Sequence, residues 1–132
     1  SCTECGRCTS ECPANLTGKK LSPRKIMMDT RDRLEKVSKN ITTNKGNFVD
    51  DGDRLLDNYI TKEELWACTS CNACVEACPI NIDPLSIIMD MRQFLIMEES
   101  SAHPDLNNMM NNIENNGAPW PYNQQDRLNW NE

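Results

Sequence analysis

Cys68-Thr69-Ser70-Cys71-Asn72-Ala73-Cys74-Val75-Glu76-Ala77-Cys78-Pro79 is the stretch on which the fold turns. The same spacing, C-x2-C-x2-C-x3-C-P, occurs as Cys2, Cys5, Cys8, Cys12 and Pro13, every position lower by 66. Together the two runs use all 8 cysteines of the 132-residue chain. One such run could be an accident of a cysteine-rich loop; two complete runs, each closed by proline, make accident a poor explanation.

The spacing has a chemical reason. Three thiolates two residues apart let the backbone curl around one cube of iron and sulfide, each sulfur reaching a different iron. The fourth cysteine, three residues on and redirected by proline, points away, and in two-cluster proteins of this pattern it ligates the other [4Fe–4S] cluster. The expected sets are Cys2, Cys5, Cys8 and Cys78 for one cluster, and Cys68, Cys71, Cys74 and Cys12 for the second. Each run contributes to both clusters, so the two should lie close enough to form a path for single electrons.

Three other chemistries compete for these cysteines. Structural zinc takes four ligands per ion and shows pairs of C-x2-C, not a triplet plus one. Disulfides suit small secreted domains, but no signal peptide is present and tight triplets give poor disulfide geometry. Radical chemistry on S-adenosylmethionine needs C-x3-C-x2-C, and Asn81 and Asn15 stand where the third cysteine would fall.

The length suggests one domain over residues 1–132. Hydrophobic residues make up 38% and aromatics 5%, a thin core that metal ligation can supplement. The net charge is −6, and anionic clusters would add to it, which argues against nucleic acid as a partner. Residues 1–25 run against the trend, with Arg7, Lys19, Lys20, Arg24 and Lys25 facing only Glu4 and Glu11. These cations form a solvated basic face, offset cluster charge or receive an acidic partner. No apolar run approaches the ~18 residues of a membrane span. Because Ser1 is followed at once by a cluster ligand, the chain reads as a piece of a longer polypeptide.

Helix signals fill the 55 residues between Cys12 and Cys68. Ser22 is a candidate N-cap with Pro23 at the first helical position, and Met27, Leu34, Val37 and Ile41 follow at helical spacing. Residues 40–52 read as loop. Thr61-x-x-Glu64 is a capping box opening a short helix into the second run. Asp83-Pro84 starts the most hydrophobic helix, roughly 84–99, whose single polar stripe of Ser86, Asp90 and Gln93 predicts burial nearly all round. His103-Pro104 opens a helix of about twelve residues that stops at Asn116-Gly117, and 118–132 reads as an irregular tail. No segment alternates as a strand does, so the expected class is all-α.

The remaining candidates are bland. The methionines read as core filler, Trp120 and Trp130 as packing anchors, and His103 as a helix-start residue. With one histidine and no spare cysteine, no nucleophile-and-base set exists, so no catalytic residue is assigned.

A helical domain with two such runs around a long helical insert resembles the alpha-helical ferredoxin of succinate dehydrogenase, fumarate reductase and heterodisulfide reductase. More narrowly, the second run and the tail Glu114-Asn-Asn-Gly-Ala-Pro-Trp120 resemble large membrane-associated (Fe–S)-binding oxidoreductases related to heterodisulfide reductase. The tail there is E-N-x-G-N-P-W, so Ala118 departs from it. The resemblance implies two [4Fe–4S] clusters. It implies a redox partner protein, or domains of the parent chain, as electron donor and acceptor. It also implies a cytoplasmic place at the inner face of a bacterial membrane, reached only through other parts of the parent protein. The expected function is electron transfer within a larger redox enzyme; the alternative is a non-redox scaffold held by structural clusters or zinc.

Overall fold

The computed structural model describes residues 2–131, and among them it is helical with no strand; one isolated bridge pairs Leu56 with Ile60. The elements are α1 (Arg7–Ser10), α2 (Pro13–Leu16), α3 (Pro23–Thr43), α4 (Leu55–Asn58), α5 (Lys62–Ala67), α6 (Ala73–Glu76), α7 (Pro84–Met97) and α8 (Pro104–Asn116), followed by a 3-10 helix, Gln124–Asn131. The all-α class expected from the sequence is what the chain adopts. It falls into two compact units, residues 1–93 and 94–132.

In the first unit, α3 starts where the sequence places it. The Ser22 hydroxyl accepts from Lys25 N, and Pro23 needs no hydrogen-bond partner at the first helical position. Thr9 joins α1 to this start: its Oγ1 lies 2.8 Å from Ser22 Oγ and accepts from Arg24 N. The helix runs past the expected loop boundary to Thr43 and ends where Lys45 and Gly46 turn left-handed. Residues 47–53 then fold back along α3 by polar contacts. The Asn40 amide exchanges two hydrogen bonds with Val49, Arg33 forks onto Asp51, and Lys36 reaches Asp53.

The buried face of α3 differs from the one the sequence pattern suggests. Ile26 and Arg33 are buried, whereas Leu34 is 66% exposed. The stripe is turned by one residue because Arg33, with its charge met by Asp51, takes a place a hydrophobic pattern would assign to an apolar side chain.

The capping box of α5 forms as expected, Thr61 accepting from Glu64 N and Glu64 from Thr61 N. Glu64 is itself buried and receives Lys25 at 2.8 Å. The same ammonium reaches Asp29 Oδ2 and the Tyr59 carbonyl, each at 2.8 Å, so one cation spends its three donors tying α3 to the approach to α5. Around this lie Ile26, Ile60 and Leu65, all fully buried, each worth about 1.5–3 kcal/mol by removal from water.

Helix α7 is not buried all round. Pro84, Ile88 and Leu95 form its buried positions, while Met89 and Phe94 are each 46% exposed and Met97 is more so. The apolar count of the sequence overstated burial because an apolar side chain is buried only where a neighbour covers it, and outside that stripe the cover is partial.

In the second unit, α8 begins at His103, whose ring accepts from Asp105 N, and ends at Gly117 in the left-handed conformation. A side chain at Gly117 would come within 2.9 Å of Gln124 Nε2. Arg127 and Gln124 donate to the Gly117 and Asn116 carbonyls, so part of the expected irregular tail winds instead as a 3-10 turn against the helix end. Trp120 and Trp130 are exposed, which corrects their reading as packing anchors. Ala118 is buried, so the departure from the asparagine of the tail pattern fills a small apolar site.

Candidate metal centres

The two cysteine runs fold into the same loop twice. Glu4 and Ser70 are left-handed at φ 58° and 57°, and Gly6 and Asn72 at 82° and 63°. In each loop the first sulfur accepts a backbone N–H two residues on, Glu4 to Cys2 and Ser70 to Cys68, both at 3.4 Å. One turn of helix follows each, α1 and α6, and these pack against each other. The last cysteine N–H then closes on the carbonyl three residues back, Thr9 for Cys12 and Val75 for Cys78. Left-handed backbone at Glu4 and Ser70 costs about 1–2 kcal/mol each. The curl it produces turns the cysteines of each run inward. After the prolines the copies diverge: Pro13 begins α2, whereas Pro79 enters a turn with Asn81 left-handed and Ile82 N–H donating to Cys78 Sγ at 3.3 Å.

Cys12 crosses from its own run to the other. It lines one narrow cavity with Cys68, Cys71 and Cys74, closed by Leu21, Pro23, Leu85 and Ile88. Cys12 and Cys74 are the two buried cysteines. Burial pushes the Cys74 thiol up to about 11, and the neighbouring sulfurs of Cys68 and Cys12 act in the same direction. A pocket that resists a bare thiolate accepts one readily when the thiolate is bound to a cation, which is the behaviour of a metal site. Cys71, at the exposed edge, is shifted the other way, chiefly by the Ala73 N–H aimed at its sulfur.

In the first run Cys2, Cys5 and Cys8 lie close enough for Cys2 and Cys5 to hold the Cys8 thiol up, after the larger effect of burial. Cys5, the counterpart of Cys71, is likewise exposed. Cys78 closes the turn after α6, the helix that packs on the α1 carrying Cys8. Among the described residues no three His, Cys, Asp or Glu side chains converge on a point for a single ion. A cube of iron and sulfide asks for no such point, since each thiolate meets its own iron. The donor set, all thiolate, with backbone N–H groups aimed at sulfur and an apolar lid over one quartet, fits such a group.

Cations hold the loops in place, a feature that sequence reading left as a diffuse basic segment. Arg31 pairs with Glu4 at 2.7 Å and Arg24 donates to the Glu4 carbonyl, fixing the first loop to α3. Arg92 of α7 does the corresponding work at the second loop through the Leu65 and Cys68 carbonyls. No spacing rule reveals Arg92, because its partners are carbonyl oxygens more than twenty residues away.

Comparison with known proteins agrees with this chemistry. A family model described as a 4Fe-4S dicluster domain matches residues 1–82. The "Probable iron-sulfur-binding oxidoreductase FadF" of Bacillus subtilis is 33% identical across 98% of this chain and 22% of its own length. The "EtfAB:quinone oxidoreductase" of Syntrophomonas wolfei is 28% identical across 98% of this chain and 21% of its own. One component of the ferredoxin- or F(420)H(2)-dependent CoB-CoM heterodisulfide reductase of Methanosarcina acetivorans is 31% identical over 74% of this chain and 47% of its own. The chain thus spans about a fifth of the length of the first two of these relatives. The chain belongs to the 4Fe-4S dicluster domain family, electron-transfer domains that hold two [4Fe–4S] clusters.

Proposed function

We propose that the eight cysteines ligate crosswise and that the chain passes single electrons to and from the other parts of a membrane-associated oxidoreductase. Cys2, Cys5, Cys8 and Cys78 hold one cluster; Cys68, Cys71, Cys74 and Cys12 hold the second. The observation that carries this reading is the cavity in which Cys12 joins the three cysteines of the opposite run. The clusters, when bound, supply one-electron oxidation and reduction without proton transfer; the rest is done by the chain. Backbone N–H groups of Glu4, Ser70 and Ile82 stabilise charge on the ligating sulfurs. Leu21, Pro23, Leu85 and Ile88 keep water from the second quartet. Cys5 and Cys71 present the exposed corner of each loop, where electrons are exchanged with a partner.

The partners are a redox protein or further domains of the parent chain, leading to a catalytic or quinone-linked module. Three similarities support this: relatives named as oxidoreductases, one named as quinone-linked, and one named "Probable membrane-anchored ferredoxin" from Chromohalobacter salexigens. No helix among the described residues is long and apolar enough to cross a membrane. Membrane association therefore comes through other parts of the parent protein, with this domain on the cytoplasmic face.

The test is anaerobic reconstitution followed by iron and sulfide analysis, expected at about eight of each per chain, four per cluster. Electron paramagnetic resonance of Cys→Ser variants then reads the pairing. Cys12→Ser should alter the same signal as Cys74→Ser, and Cys78→Ser the same signal as Cys8→Ser. If Cys12→Ser instead matched Cys8→Ser, the crosswise pairing would be wrong. A colourless protein with stoichiometric zinc would replace the electron path with a scaffold.

A further inference from the structure

We infer that Arg92 is a positioning residue for the second cluster: its guanidinium clamps the backbone that presents Cys68 and sets an uncompensated positive charge beside that ligand. The inference rests on the crosswise pairing above, in which Cys68 belongs to the second cluster, and deepens it by asking what distinguishes two loops of the same design.

The geometry is that of a built contact. Arg92 Nε and Nη2 donate to the Leu65 carbonyl at 3.0 and 2.6 Å, and Nη2 also donates to the Cys68 carbonyl at 2.6 Å. The guanidinium lies over the Trp66 ring, 5.0 Å from its centroid. The side chain is half-buried, and its partners are all neutral. Among the described residues Arg92 forms no ion pair, whereas Arg31 meets Glu4 and Asp32 and Arg33 meets Asp51. Carbonyl oxygens at the end of α5 welcome a cation, so part of the contact is helix capping. Capping alone leaves unexplained a half-buried cation with no carboxylate, bonded to the carbonyl of a metal ligand. An anionic all-thiolate cluster is the counter-charge that completes it.

The first loop lacks this arrangement. There Arg31 is neutralised by two carboxylates, and Arg24 reaches the Glu4 carbonyl at 3.4 Å from an exposed position where water screens it. Two loops with one backbone therefore sit in different fields. A one-electron reduction adds one negative charge with no proton and no bond change, so a nearby cation makes it easier. Arg92 raises the second cluster's potential against the lowering effect of its buried, apolar surroundings.

The experiment is an anaerobic spectroelectrochemical titration of the reconstituted chain, with iron content measured on every sample. Arg92→Gln keeps a donor and removes the charge; Arg92→Lys keeps the charge and loses the fork. Arg92→Gln should retain about eight irons. In that variant one reduction step should become harder by about tenfold in the equilibrium, ~59 mV for one electron, while the other holds. Arg92→Lys should leave both steps near the wild-type values. The step that moves should be the one that Cys74→Ser alters. Both steps unmoved in fully loaded Arg92→Gln, both moved equally, or movement of the other step alone would each overturn the proposal. Arg92→Gln failing to load while Arg92→Lys loads unshifted still assigns the effect to charge. If neither variant loads, Arg92 serves the fold alone and the proposal falls. The cysteine variants test the pairing separately, so the two readings fail by different results.

Discussion

Asp51 receives the Arg33 guanidinium as a fork, with one oxygen for each terminal nitrogen. Arg33 beside it holds the Asp51 carboxyl at about 2. An unfolded aspartate titrates near ~3.9. A folded value below the unfolded one means that the pair stabilises the fold fully above about pH 4 and loses its contribution as pH falls toward 2. Glu64 acts in the same direction: burial pushes its carboxyl up, but Lys25 and Thr61 outweigh burial and hold it below the usual range. Asp51→Asn should therefore lower the urea midpoint at pH 7, with the gap to wild type narrowing as the pH is taken down through 3. An undiminished gap at pH 3 would assign the loss to something other than the charge. High salt should narrow the gap as well, because the pair stands partly in solvent. None of this was legible in the sequence, where Arg33 and Asp51 are two charged residues among many, 18 apart.

At the scale of the element, what could be read was what a few consecutive residues decide. Ser22-Pro23 starts α3, Thr61-x-x-Glu64 caps α5, and Asn116-Gly117 stops α8, because each motif satisfies orphan backbone groups within one turn. Burial of a helix face is not local in this way. The spacing of Met27, Leu34, Val37 and Ile41 describes a genuine apolar stripe, yet the packed side of α3 carries Ile26 and Arg33. Two substitutions separate the readings by urea unfolding. Ile26→Ala should cost about 2–5 kcal/mol through the cavity it leaves. Leu34→Ala should stay within about 0.5 kcal/mol, as exposed positions do. Equal losses at the two sites would restore the face that the periodicity suggests. The same reasoning accounts for α7, whose exposed Met89 and Phe94 made the helix look more deeply buried than it is.

For the molecule as a whole, metal ligation stands where a larger core would otherwise be needed. Only 38% of residues are hydrophobic, and the two runs are separated by 55 residues that must be closed into a loop at an entropic cost. Each cluster in the crosswise pairing joins the N-terminal run to the second run, so ligation closes that loop twice. Anaerobic chelation of iron should leave helical circular dichroism partly intact and collapse the proton NMR dispersion, as expected where ligation supplies much of the folding energy. An iron-free chain that kept native dispersion and an unchanged melting midpoint would show the clusters to be passengers. The sequence by itself determined the cofactor chemistry, the helical class and the helix starts. Cysteine spacing, proline and capping residues act through bonds and turns only a few residues long. Tertiary structure decided which cysteine crosses to which quartet, which face of α3 is buried, and that Arg92 leans on Cys68. Those depend on contacts between residues that only packing brings together, and no local pattern encodes them.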